Sequence, residues 1–169
     1  MNDAHLHLVV NHFPIIGTIF GLGILIAGLA LKNNAIKNTA FVLFIVAAVF
    51  AFASMYTGEG AEEAVEDMPN IGRHIIHEHE ELAEKLAILL YALAAFSIGS
   101  LYTAVKNLKS AKIISYITLL LATGAVVLAS FVGTTGGEIR HTEIRQNTLQ
   151  NPILPHEEDL QLKNEKREN

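Results

Sequence analysis

The stretch RHIIHEHEELAEK, residues 73–85, runs without a break into LAILLYALAAFSIGSLYTAV, residues 86–105, and its reading decides the fold. Read as one helix, Ile75, His79, Leu82 and Leu86 form a stripe at 3.6-residue spacing that leads into the apolar half. His79 is therefore expected to face as the core faces. His74, His77, Glu78 and Glu81 fall with Lys85 on a neighbouring face that suits water. The apolar half is long enough to cross a bilayer, which takes about 20 residues of helix.

Three more runs share that length and the same lack of Asp, Glu, Lys and Arg: residues 13–31, 39–57 and 113–133. With 51% of residues apolar and only 17% charged, the composition is unusual for a soluble domain. Short polar breaks between uninterrupted apolar runs speak for four membrane spans rather than a large soluble core. The first run is read as retained, because Met1, Asn2 and Asp3 supply no basic leader for a signal peptide. Cysteine is absent, which excludes disulfides, thiolate zinc sites and cysteine-ligated iron–sulfur clusters. A net charge of −5 argues against a nucleic-acid partner.

The loops set the expected orientation. Lys32 and Lys37 occupy the turn between spans one and two; Lys106, Lys109 and Lys112 occupy the turn between spans three and four. By the positive-inside rule both turns are cytoplasmic. All 17 acids and all 8 histidines then lie on the other side, with both termini and the 58–85 connection. Short turns make sequential helices antiparallel neighbours. The expected fold is an all-α integral membrane protein, an antiparallel up-down-up-down four-helix transmembrane bundle with both termini outside. It spans residues 1–149, and residues 150–169 form a polar tail expected to be disordered or partner-bound. Gly17 and Gly21 have the small-xxx-small spacing of membrane helix contacts. Residues 61–68 are expected to extend the second helix until Pro69, Asn70 and Gly72 break it. No internal repeat is evident.

This topology gathers residues distant in sequence at the outer helix ends. They are His5, His7 and His12 on the first, Glu59, Glu62 and Glu63 on the second, His74, His77 and His79 on the third, and Glu138 and His141 on the fourth. Imidazole and carboxylate together suit Fe, Zn, Cu or Mn, and bundle interiors are a usual place for such sites. Glu138 and His141 have the Glu-x-x-His spacing of dimetal carboxylate bundles, but no second such pair exists here. His12, beside Phe13 and Pro14, either caps the first membrane helix with Asn11 or belongs to a helix starting near Ala4 and kinked at Pro14. Taken singly, a histidine at a membrane boundary is more often an interfacial, hydrogen-bonded residue than a ligand. The Glu59–Glu66 acids are more often a solvated face, and His156 is incidental. Convergence from four helix ends raises the joint odds.

The chain resembles an uncharacterised family of bacterial four-span membrane proteins in four places. They are the opening His7, His12, Phe13 and Pro14; Gly58 with Glu59 or Glu62; His79; and Gly136, Gly137 and His141. The resemblance covers about residues 4–145. The chain departs from the pattern in its richer Glu and His content around Glu62–Glu81 and in Asn11 before His12. Relatives fused to Rieske iron–sulfur or c-type haem domains imply a place near respiratory electron transfer, in the bacterial cytoplasmic (inner) membrane.

The leading expectation is a transition metal (Fe, Zn or Cu) bound at the extracytoplasmic face by His12, Glu59 or Glu62, His79 and His141, with Glu138 as a further ligand or acceptor. It would support respiratory redox chemistry or envelope metal handling. The close competitor is haem b held by two of His12, His79 and His141, moving electrons. The third is a structural or assembly subunit whose acidic outer surface docks a partner. The lipid bilayer is the expected environment; a membrane redox complex and a second copy of the chain are the partners left open. No nucleophile–base arrangement, phosphate loop or dinucleotide motif is visible, so no catalytic residue is assigned.

Overall fold

The computed structural model describes residues 2–66, 68 and 71–145, and the tail expectation for residues 150–169 lies outside them. The described residues form helices α1 (Asp3–Val10), α2 (His12–Ala30), α3 (Asn34–Glu63), α4 (Arg73–Val105) and α5 (Ala111–Arg140), with a short 3-10 turn at Thr142–Ile144 and no strand among them. The α1–α2 pair makes one rod, and each of the four rods is long and apolar enough to cross a membrane. Neighbours pack in order: α2 on α3, α3 on α4, α4 on α5, with α2 against α5 closing the bundle and α1 lying on α3.

Local chemistry explains the boundaries. The Asn2 side chain accepts from the His5 backbone N–H and starts α1. Asn11 interrupts the rod, and Pro14, which lacks an N–H, sits in the first turn of α2 where the loss is tolerated. The structure thus lies close to the kinked-helix alternative for His12. The Asn33 carboxamide accepts from Ala35 and Ile36 and caps α3. That helix stops at Glu63, short of the expected extension through residue 68. At its other end α5 runs on through Gly136 and Gly137 to Arg140, past the boundary expected at residue 133. The Arg145 guanidinium there donates to the Glu138 and Ile139 carbonyls at 2.7 and 3.0 Å, satisfying acceptors that a helix terminus leaves open.

The cross-section has the inverse of a soluble bundle's pattern. Many inward positions are small, among them Ala40, Ala47, Ala51, Ala122, Ala125 and Ala129, with Phe41, Phe44, Leu25, Leu90 and Leu93 filling the centre. Large side chains point outward on every rod, including Phe20, Val49, Ile88 and Leu120. In a hydrocarbon solvent this costs nothing, and small inward residues let helices approach closely. Gly17 faces Ala47, and Gly21 makes room for the Phe44 ring. Gly28 approaches the α3 backbone so closely that an added Cβ would stand 2.8 Å from the Lys37 nitrogen. Buried hydroxyls are satisfied locally: Thr18, Ser97, Ser115 and Thr118 each donate to the carbonyl four residues back.

Both lysine-bearing turns use the same device. The Lys32 N–H bonds to the Leu29 carbonyl and the Asn33 N–H to the Gly28 carbonyl; the Asn107 N–H bonds to Ala104 and the Leu108 N–H to Thr103. These are two Schellman closures, each with its pivotal residue left-handed at φ 52° for Lys32 and 50° for Asn107. A side chain in that region costs about 1 kcal/mol relative to glycine. Lys32→Gly is expected to raise stability by about 1 kcal/mol, read as a higher midpoint of thermal unfolding in detergent; an unchanged or lower midpoint would count against the closure.

Candidate functional site

The end of the bundle opposite the lysine turns carries the described acids and histidines. The structure separates the histidines into rim and interior. His12 is exposed, and its Nδ1 pairs with the Leu8 carbonyl at 3.0 Å, one turn back. His141 is exposed and its Nδ1 meets Glu143 at 2.9 Å. The Glu143 carboxyl is held below the usual carboxylate range by its own backbone N–H and then by His141. His77 forms loose ion pairs with Glu80 and Glu81, and Glu81 pairs with Lys85. Glu59 is exposed, Glu138 is half-buried, and the half-buried Glu62 hydrogen-bonds to Glu80 across the α3–α4 boundary.

Two histidines turn inward. His7 on α1 and His79 on α4 are half-buried, and the rings are near enough for their charges to interact. The His7 Nδ1 lies 3.0 Å from the Ser54 carbonyl and 3.3 Å from the Thr57 hydroxyl oxygen. A carbonyl only accepts, so Nδ1 must carry the proton. Thr57 gives its own hydrogen to the Ala53 carbonyl at 3.0 Å, leaving its oxygen free to accept as well. On α5 the pattern repeats. The His79 Nδ1 lies 3.1 Å from the Thr135 hydroxyl oxygen, and Thr135 donates to the Phe131 carbonyl at 3.1 Å. His79 also meets the backbone of Val132, which stands three residues before Thr135 as Ser54 stands before Thr57. His7 is thus fixed as the Nδ1–H tautomer whose Nε2 carries a lone pair, and the matching Thr135 and Val132 groups favour the same tautomer at His79, the arrangement that orients a histidine for a metal.

A glycine follows each threonine. A Cβ on Gly136 would come within 2.9 Å of the His79 Cε1, so only glycine admits the ring in that position. Gly58 lies more loosely against the His7 ring, where a Cβ would be 3.8 Å from Cε1. The levels also match. Lys32 stands 25 residues after His7 and 25 before Thr57, while Asn107 stands 28 after His79 and 28 before Thr135. Each helical hairpin therefore carries one histidine at the start of its first rod, a left-handed turn midway, and a Thr-Gly pair opposite the histidine. The two hairpins share this order of histidine, turn and Thr-Gly pair.

Of the residues expected to form a metal shell, the structure turns only His79 inward beside a second imidazole. Among the described residues no group of three His, Asp or Glu side chains converges in a way that could hold a metal ion. His7 was placed at the helix end by the sequence but not among the expected ligands. Its signal was the pairing of each histidine with a Thr-Gly at equal distance from a turn. No family model matches the chain, and neither a curated protein nor a solved structure matches it.

Each histidine keeps a backbone partner when its threonine is removed, Ser54 for His7 and Val132 for His79. Thr57→Val and Thr135→Val are therefore each expected to destabilise the protein by about 1 kcal/mol. Thermal unfolding of both variants in one detergent checks this, and a loss several times larger at either position would contradict the assigned partners.

Proposed function

We propose that the protein is a multi-pass protein of the bacterial cytoplasmic membrane that holds b-type haem between His7 and His79 at its extracytoplasmic end and carries electrons there. One observation carries this reading: each hairpin supplies one inward imidazole with Nδ1–H committed to the neighbouring helix and Nε2 left to ligate. Haem held by His7 and His79 would supply one-electron transfer. The chain's own part is to fix both tautomers, to leave room for the rings at Gly58 and Gly136, and to surround the site with apolar helix.

A transition metal held by His12, Glu59 or Glu62, Glu138, His79 and His141 would need His12 to leave Leu8 and His141 to leave Glu143. The haem reading leaves both of those contacts in place, and it draws on the kinship inferred from the His-Phe-Pro opening and the Gly-Gly…His close. The proposed topology puts the Lys32 and Asn107 turns in the cytoplasm and both termini outside, from the lysine bias of the turns. The outward apolar surface of all four rods supports a lipid environment.

Protein purified in detergent is expected to show a Soret band and a reduced-minus-oxidised difference spectrum. His7→Ala and His79→Ala should each abolish them, while His12→Ala and His141→Ala keep them. A colourless wild type, or a spectrum that depends on His12 and His141 instead, would overturn the proposal; a colourless protein with stoichiometric metal would return the His/Glu shell. Orientation is read separately in the cysteine-free chain. An impermeant maleimide on intact cells should label Glu59→Cys and leave Asn107→Cys unlabelled, and the reverse pattern would invert the topology.

A further inference from the structure

Outside the paired imidazoles, the α3–α4 side of the bundle holds a groove of about 470 Å³ at the same end. Phe52, Met55 and Tyr56 line it from α3; Glu84, Ile88 and Tyr91 line it from α4. These are stripes at helical spacing on facing helices. A carboxylate and two phenols thus stand in a wall that is otherwise apolar. The groove is of a size that takes a small ring. It straddles the ends of two apolar runs, since Glu84 lies just before residues 86–105 and Tyr56 close to the end of residues 39–57. Its polar end is at the boundary, and Phe52, Ile88 and Tyr91 carry it into the apolar zone.

The groove and the imidazole pair share their walls. Ser54 and Thr57 hold His7 on one face of α3, while Met55 and Tyr56 open onto the groove from the same turn. Glu84 follows His79 on α4, roughly 7–8 Å along the axis at 1.5 Å per residue. The rim chemistry selects among amphiphiles. Glu84, with Glu59, Glu80 and Glu81 on the same two helix ends, outweighs the neighbouring Lys85, whose ammonium pairs with Glu81, and so repels the phosphate of a phospholipid. An uncharged ring with hydroxyl groups meets no such repulsion, and its hydroxyl can donate to the Glu84 carboxylate.

We infer that this groove binds the ring of a membrane quinone in its neutral quinone or quinol form. Its alkyl tail follows Phe52, Ile88 and Tyr91 toward the lipid, and Glu84 accepts a hydrogen bond from a quinol hydroxyl. The inference deepens the haem reading by naming the class of redox partner, and it rests on that reading only for its role in electron transfer. Binding itself stands on the groove.

The test is photo-crosslinking of the full chain in detergent with an azido-substituted decyl-benzoquinone, followed by peptide mapping. Crosslinks are expected on residues 52–56 and 84–91, displaced by unlabelled decylubiquinone. Glu84→Gln should weaken displacement by the reduced quinol about tenfold, the loss of one charge-assisted hydrogen bond. Ile88→Trp, at a side chain that is 68% exposed and free to grow, should abolish the crosslinks by filling the groove. Crosslinks scattered over the apolar surface, equal displacement by phosphatidylethanolamine or phosphatidylglycerol, or indifference to both substitutions would overturn the inference. The two readings fail separately. Colourless protein that still crosslinks at the groove defeats the haem proposal alone; a haem spectrum with scattered crosslinks defeats the quinone site alone.

Discussion

A threonine hydroxyl that has already given its hydrogen to its own helix can only accept, and that restriction governs the histidine end of this bundle. Thr135 bonds to the Phe131 carbonyl and, with the Val132 backbone, meets His79; Thr57 donates to Ala53 and, with the Ser54 carbonyl, receives the proton of His7. The interaction does two things together. It ties α1 to α3 and α4 to α5 where polar side chains at a membrane boundary would otherwise go unpaired, which is costly there. It also leaves the His7 Nε2 with a lone pair, and at His79 the neighbouring Gly136 gives the ring its room. The local packing and the ligand chemistry have one origin.

The rest of the molecule holds those two rings at a common level. Long helices keep every backbone group paired along the apolar length, the arrangement a bilayer demands. Small residues let α2, α3, α4 and α5 approach, and the two Schellman turns reverse the chain at matched distances from histidine and threonine. Several acids at the histidine end pair with nearby bases: Glu66 with Arg73, Glu81 with His77 and Lys85, Glu143 with His141. Met68 receives the Arg140 guanidinium, joining the connection to the end of α5. The acidic rim is thereby a brace around the site more than a ligand shell within it.

How much of this the sequence disclosed follows from which signals survive in an apolar chain. Four charge-free runs and two lysine turns were plain, and so was the inward course of His79, because Ile75, Leu82 and Leu86 share its stripe. His7 was obscured because the rod is broken at Asn11, and no apolar stripe picks one face when every face is apolar. His12 drew attention through its place beside Phe13 and Pro14, yet its ring bonds to Leu8 and stays on the rim. Gly136 and Gly137 lie past the apolar run that ends at residue 133, yet they continue α5, whose last carbonyls Arg145 meets farther on. Cross-helix hydrogen bonds leave no periodic trace, so the Thr-Gly pairs emerged only with the fold.

The claim on which the account turns is the protonation pattern of two rings. Solid-state nitrogen NMR of histidine-labelled, cofactor-free protein in bilayers reads it directly. The account predicts protonated Nδ1 and unprotonated Nε2 at His7 and His79, each signal vanishing in the matching alanine variant. Protonated Nε2 at either position would mean that the lone pair faces the helix wall, and the proposed ligation would have no free nitrogen to use.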